Sequence, residues 1–155
     1  MLMIIRLARD KDYAAIARLH KATIRQVNSG DYPEDVIEVW SGRTNANRFR
    51  NSAAEVKRWV AVWGEKVIGF CDHDFKCELQ GLYVHKDFQG KGVGGKLYRK
   101  AEASMKKLGC KNMKLMSTIT AKPFYQKMGY RVIKKSFVPI KDKKVEVVVM
   151  SKKIT

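Results

Sequence analysis

The chain has 155 residues, enough for one domain with a substantial core. No apolar run reaches the roughly 18 residues of a membrane-spanning helix, and the apolar start, residues 1–7, carries Arg6 without a cleavage-site pattern, so it reads as a first strand and not as a leader. The formal net charge of +17 is lopsided: residues 1–80 carry 13 Lys/Arg against 11 Asp/Glu, and residues 81–155 carry 19 against 4, so the second half sets up a field that draws polyanions or simply decorates a solvated surface.

In chain order, Met3–Leu7 is the first expected strand. Asp10 or Asp12 is placed to cap a helix in which Tyr13, Ile16, Ala17, His20, Ile24 and Val27 share one face, with His20 expected to pack and not to catalyse. "NSGDYP" breaks that helix. Pro33 opens a short one through about Trp40, and "NANRFRNS" suggests another. "RWVAVWGEKVIGFCD" reads as a hairpin turning at Gly64-Glu65. "CELQGLYVH" is a strand running into a glycine-rich turn. Val93, Leu97, Ala101, Met105 and Leu108 then recur at helical spacing, with Gly109 as the stop. "NMKLMST" is a strand, residues 120–128 a short helix with Pro123 in its first turn, and "YRVIKKSFVPI" with "KKVEVVVMSKK" a closing antiparallel pair. Strands alternating with helices, without repeats or linkers, predict an α/β or α+β sheet flanked by helices. The three cysteines, Cys71, Cys77 and Cys110, have no zinc spacing even with His73, Asp72 and Asp74 nearby. They are expected to be reduced thiols in a cytoplasm.

The turn "VHKDFQGKGVGGKLYRK" admits three phosphate-binding readings. A triphosphate P-loop needs Ser or Thr after Lys96, where Leu97 stands. A dinucleotide fingerprint, Gly90-x-Gly92-x-x-Gly95, belongs in a first strand–helix unit with an acid about 20 residues on, where Lys114 and Leu115 stand instead. Gln89-x-x-Gly92-x-Gly94 spells an acyl-CoA pyrophosphate loop. In each reading a helix N-terminus offers free N–H groups, and glycine lets the backbone approach phosphate oxygens.

"ELQGLYVHKDFQGKGVGGKL" followed about 30 residues later by "TAKPFYQKMGYRVI" resembles the two signatures of the GNAT superfamily of N-acetyltransferases, in the family's order and over nearly the whole chain. The stretch around Tyr32-Pro33-Glu34 and "STITAKPFYQKMGY" are similar to a group of small bacterial members of mostly undefined substrate. The resemblance implies one acetyltransferase domain over residues 1–155, built on a mixed, mostly antiparallel central sheet of about six to seven strands flanked by helices. It implies acetyl-CoA as cosubstrate without a metal, and transfer to a primary amine, small molecule or peptide, in a ternary complex. The pyrophosphate is expected on Gln89, Gly90, Lys91, Gly92, Val93 and Gly94, with Gly95 and Lys96 extending the helix start. Lys91 and Lys96 add charge there or are plain solvated side chains. Leu82, Tyr83 and Val84 are expected to pair their backbone with the pantetheine, and the Val84 N–H to face the thioester carbonyl.

By the same resemblance Tyr125 is the general acid, its phenol matched to a leaving thiolate. Glu78, 11 residues before Gln89, is the general base or a strand-end carboxylate paired with Lys76, and Asp72 and Asp74 stand behind it as bases or as ligands of a cationic substrate. Strand alternation puts Glu78 on one face with Gln80, Leu82 and Val84 unless a bulge intervenes. Tyr32 and Trp40 are expected to cover the acceptor, and Asp31, Glu34, Asp35 and Glu38 are possible partners for a cationic amine. The enzyme is expected in the cytoplasm as a monomer or homodimer. The competing class, a nucleic-acid-binding protein that uses the basic second half, lacks a recognition element.

Overall fold

Among the described residues, seven strands form one sheet in the order β1-β2-β3-β4-β5-β7-β6. The structure is a computed structural model and describes residues 2–154. The first three strands, β1 (Met3–Leu7), β2 (Val56–Trp63) and β3 (Lys66–Asp74), run antiparallel, and the β2–β3 hairpin turns at Gly64, whose φ of 62° is the left-handed conformation glycine tolerates. Antiparallel pairing continues to β4 (Glu78–Val84). β4 then meets β5 (Asn112–Thr118) in parallel, and β5 is extended by β7 (Lys143–Lys153) and the edge strand β6 (Arg131–Ile140).

The parallel contact positions everything that follows. β4 and β5 pair only at Glu78↔Lys114 and Leu79↔Leu115. Beyond those two rungs the strands part, so the sheet is open between Gln80–Val84 on one side and Met116–Thr118 on the other.

Helices cover both faces. The amphipathic α4 (Val93–Lys107) lays Val93, Leu97, Ala101 and Met105 against Trp59, Ile68, Cys71 and Leu115, with Leu97, Ala101 and Met105 fully buried. On the opposite face α1 (Tyr13–Gln26) and α3 (Ala46–Asn51) pack Ile16, Leu19 and Phe49 onto Val60 and Phe70. α2 (Glu34–Gly42) leans across to β7, joining Val36, Ile37 and Trp40 to Ile140, Val145 and Val147. The short α5 (Lys122–Lys127) follows β5. Among the described residues no helix is long and apolar enough to cross a membrane.

Four expectations change. Leu108 sits at the C-terminal cap of α4 and is 49% exposed, because the helix ends one residue before it. Val27 likewise lies beyond the end of α1. Asp12 stands at the N-cap of α1 without capping it. Its carboxylate is turned back to the Arg6 guanidinium at 2.7 Å and the Arg9 N–H, which hold it below the ordinary carboxylate range. Finally, two of the three cysteines are not thiols: Cys77 and Cys110 form a disulfide, with Cα atoms 5.8 Å apart, and only Cys71 is free. The reason is topological. The Lys114 N–H donates to the Cys77 carbonyl, and Cys110 lies just after the stop of α4, so the parallel register brings two residues 33 apart in sequence together.

Candidate active site

Two cavities open onto the gap, one from each face of the sheet. They share Leu79, Gln80, Gly81, Tyr83, Met116 and Thr118, which are the lips of the parted strands.

The first cavity, about 530 Å³, lies on the α4 side. Its floor is the glycine turn. Gln89 Nε2 donates to the Val84 carbonyl at 2.9 Å and ties the turn to the end of β4. Gly90 and Gly92 take φ of 72° and 82°, and Gly92 is the N-cap of α4. No side chain caps that helix, and its first internal bond runs from the Lys96 N–H to the Gly92 carbonyl at 3.1 Å. The N–H groups of Val93, Gly94 and Gly95 therefore point out of the helix start at its positive dipole end. A Cβ on Gly94 would lie 3.3 Å from Phe124 Cε1, so glycine keeps this approach open. Lys91 stacks its Nζ over the Phe88 ring at 5.6 Å, and the cationic side chains lining the cavity are instead Arg99 and Lys127. Arg99 was not singled out in the sequence, although it lies four residues after Gly95 and so one helical turn above it.

Backbone polarity in this cavity follows from the ladder. The His85 N–H donates to the Ile68 carbonyl, and antiparallel alternation then turns the Leu82 and Val84 N–H groups away from β3, toward the gap. Tyr125, 4% exposed, comes from α5 and packs its ring near Phe124 and Tyr130, at centroid distances of 5.3 and 5.8 Å. Burial holds its phenol well above the ordinary value. Two lining groups escaped sequence reading. Asn28, 3% exposed, opens the stretch through Trp40 that the resemblance assigns to covering the acceptor, but was not itself singled out, and its buried Oδ1 has no partner among the described residues. The buried Thr120 Oγ1 has none either. Orphaned polar atoms beside a row of free amides fit a ligand with phosphates at one end and amides along its length.

The second cavity, about 950 Å³, lies on the α1 side between α2, α3 and β7. Glu78 belongs here and not with Leu82 and Val84. The register pairs Asp72 with Gly81 but His73 with Leu79, so Gln80 is an extra residue in β4. This bulge resets the alternation. Leu79, Leu82 and Val84 join the α4-side core, whereas Tyr83 joins the α1 side, and Glu78 opens onto the second cavity with Lys114 Nζ 4.0 Å away.

Asp72 and Asp74 line the same cavity but are engaged. Asp72 is buried against Arg58, whose Nε donates to it at 2.7 Å; burial raises its carboxyl and the guanidinium opposes that rise. The Asp74 carboxylate accepts from the Lys76 and Glu78 N–H groups and from Gln80 Nε2. Trp40 lines the cavity too. Tyr32 lines neither. Its hydroxyl donates to the Glu146 carbonyl at 2.6 Å and accepts from the Ile119 N–H at 2.8 Å, stapling the loop before α2 to the far half of the sheet. His20 is buried with Nδ1 2.9 Å from Thr44 Oγ1, and burial together with Arg48 and Arg43 drops its pKa to about 3, so it is neutral.

Comparison with known proteins agrees with this geometry. The N-acetyltransferase YafP of Escherichia coli (strain K12), itself uncharacterized, is 22% identical over 123 residues, which cover 79% of this chain and 77% of YafP. The fold is that of the GCN5-related N-acetyltransferase from Rhodopseudomonas palustris, with a TM-score of 0.93 and 24% identity over 99% of both chains. It is also that of PaiA N-acetyltransferase from Thermoplasma acidophilum, solved in complex with coenzyme A, with a TM-score of 0.82 and 24% identity over 99% of this chain and 100% of PaiA. The acetyltransferase (GNAT) domain family matches residues 28–154. Because that match runs from the turn after α1 to the end of β7, taking in both the glycine turn and the parted strands, the chain belongs to the GNAT family of acetyltransferases.

Proposed function

We propose that this enzyme transfers the acetyl group of acetyl-CoA to a primary amine by direct attack while both substrates are bound. The gap between β4 and β5 carries the reading: two cavities reach it from opposite faces and share its lips, so a thioester entering from one side meets an amine entering from the other. Coenzyme A is bound by the PaiA protein of the same fold, and the uncapped start of α4 supplies what a metal-free diphosphate needs here.

The chemistry then follows the placement of the groups. The amine nitrogen attacks the thioester carbonyl carbon, forming the C–N bond. The Leu82 and Val84 N–H groups, aimed at the gap, stabilise the charge that develops on the carbonyl oxygen. The C–S bond breaks with its electron pair leaving on sulfur, and the Tyr125 phenol, kept protonated by burial, gives its proton to the thiolate. The proton lost by the amine goes to Glu78. Glu78 lies four positions before Leu82, at most about 13 Å along the strand at 3.3 Å per residue, so that proton travels through water. Cys71 is the one free thiol, yet it is fully buried, its titration is pushed well up by burial, and it lines neither cavity. No acetylated cysteine is therefore on the path.

Initial velocities measured while both substrates vary test this directly. Intersecting double-reciprocal lines are expected, and parallel lines would show that acetyl passes through the enzyme first.

A further inference from the structure

The second cavity is charged in a way that the transfer reaction does not use. Arg43, at the C-terminal cap of α2, and Arg48, in α3, both line it. Among the described residues neither guanidinium lies within ion-pair distance of a carboxylate. The Arg43 Nε is buried and has no partner among the described residues. Of the other acids lining the cavity, Asp72 is committed to Arg58 and Asp74 to two backbone N–H groups and Gln80, while the exposed Glu55 forms no ion pair with either arginine. Both arginines stand close enough to His20 and Tyr83 for their charges to act on those groups, which places them at the Tyr83 end of the cavity. Glu78 and Asp74 stand at the other end, five or more residues back along the β3–β4 hairpin.

A partly buried guanidinium with an unfilled N–H, held beside a second cation, is costly unless a ligand supplies the counter-charge. The planar fork suits a carboxylate or a phosphate equally. Of the acids proposed from sequence for a cationic substrate, Asp72 and Asp74 line the cavity but are engaged, and the others are not in position to compete. Asp35 is bound to Lys143 at 3.0 Å, and Asp31, Glu34 and Glu38 line neither cavity.

We propose that the acceptor is an amine that also carries an anionic group, carboxylate or phosphate, which Arg43 and Arg48 hold in the second cavity while its amine reaches the β4–β5 gap. This rests on the acetyl-transfer reading. It excludes polyamines and simple alkylamines as preferred substrates.

Two measurements on the full chain test it, the first with coenzyme A and the second with acetyl-CoA at saturation, so that the glycine turn is filled. In the first, succinate and inorganic phosphate are titrated and thermal unfolding is followed. At least one anion should raise Tm by a few degrees in the wild type and leave Arg43→Gln and Arg48→Gln unmoved, and the effective anion identifies the group. In the second, acetyl transfer is compared across matched pairs: amino acids against their amides, aminoalkyl phosphates against the amino alcohols, with a polyamine as the cationic arm. The acid-bearing member should be preferred at least tenfold in kcat/KM. Each Arg→Gln change should erase that preference while leaving the KM for acetyl-CoA within twofold. Anions without effect on the wild type, equal stabilisation of the variants, or a preference for the amide or the polyamine would overturn the proposal. Absence of coenzyme A binding in calorimetry would overturn the transfer reading instead, which separates the two failures. Because the arginines lack partners, the Gln variants should unfold at or above the wild-type temperature, so a fall in activity cannot be ascribed to misfolding.

Discussion

Breaking the Cys77–Cys110 bond should loosen the closed end of the gap. The disulfide sits next to the two rungs that join β4 to β5, directly before Glu78. Its partners are 33 residues apart, and closing a loop of that length in the unfolded chain corresponds to a stability contribution of about 3.7 kcal/mol in the chain-entropy treatment. For a domain of this size that is roughly 7–15 °C in Tm. The assay is thermal unfolding of the wild type with and without dithiothreitol, beside a Cys77→Ser/Cys110→Ser double variant, with thiols titrated in denaturant. Reductant should lower the wild-type transition onto that of the double variant and leave the latter where it is. One titratable thiol, Cys71, is expected before reduction and three after. Turnover should fall with the disulfide because Glu78 is no longer held, while coenzyme A affinity, set by the glycine turn, should hold. Three thiols in the untreated protein, or identical transitions with and without reductant, would refute the reasoning.

Other variants separate binding from chemistry. Tyr125→Phe should lower kcat by about 10²–10⁴ and leave the Kd for acetyl-CoA nearly unchanged in calorimetry; equal losses in both would mean that the ring only packs. Gly94→Val places a side chain 3.3 Å or less from Phe124, at the helix start, and should weaken coenzyme A binding by at least about tenfold through the lost approach to the amides, whereas unchanged affinity would move the phosphate site elsewhere. His20 has a folded pKa of about 3 against an ordinary 6.5, so the unfolded chain binds the extra proton between those values. Its contribution is complete above pH 6.5 and is lost as pH falls toward 3, amounting to about 2–3 kcal/mol at about pH 4.5. His20→Gln should flatten that part of the urea-unfolding profile, and an unchanged slope would place the acid sensitivity in other groups.

What could be read before the fold was known is what local chemistry determines. The glycine turn announces itself because few sequences place Gly90 and Gly92 between a strand and a helix. The periodicity of Leu97, Ala101 and Met105 likewise exposes the buried face of α4. The failures are non-local. Nothing in "CELQGLYV" marks Gln80 as an extra residue, because the bulge exists only relative to β3, yet it decides which face Glu78 serves. The disulfide depends on a parallel register between segments some 30 residues apart, and no cysteine spacing encodes that. Asp12 looks like a helix cap until Arg6, on the neighbouring strand, and the Arg9 N–H are seen to take its carboxylate away from the helix start. Arg43 and Arg48 look like ordinary surface charge in sequence, and only the fold shows that both line one cavity, with the Arg43 Nε unpartnered among the described residues and Asp72 taken by Arg58.

Amide hydrogen exchange with and without coenzyme A tests the central claim most directly, because the claim concerns individual N–H groups. Bound ligand should slow exchange at Gln89–Lys96 and at Leu82 and Val84, in a metal-free buffer containing EDTA, and leave β6 unaffected. Protection confined to other segments, or protection that vanishes when divalent metal is chelated, would contradict the account.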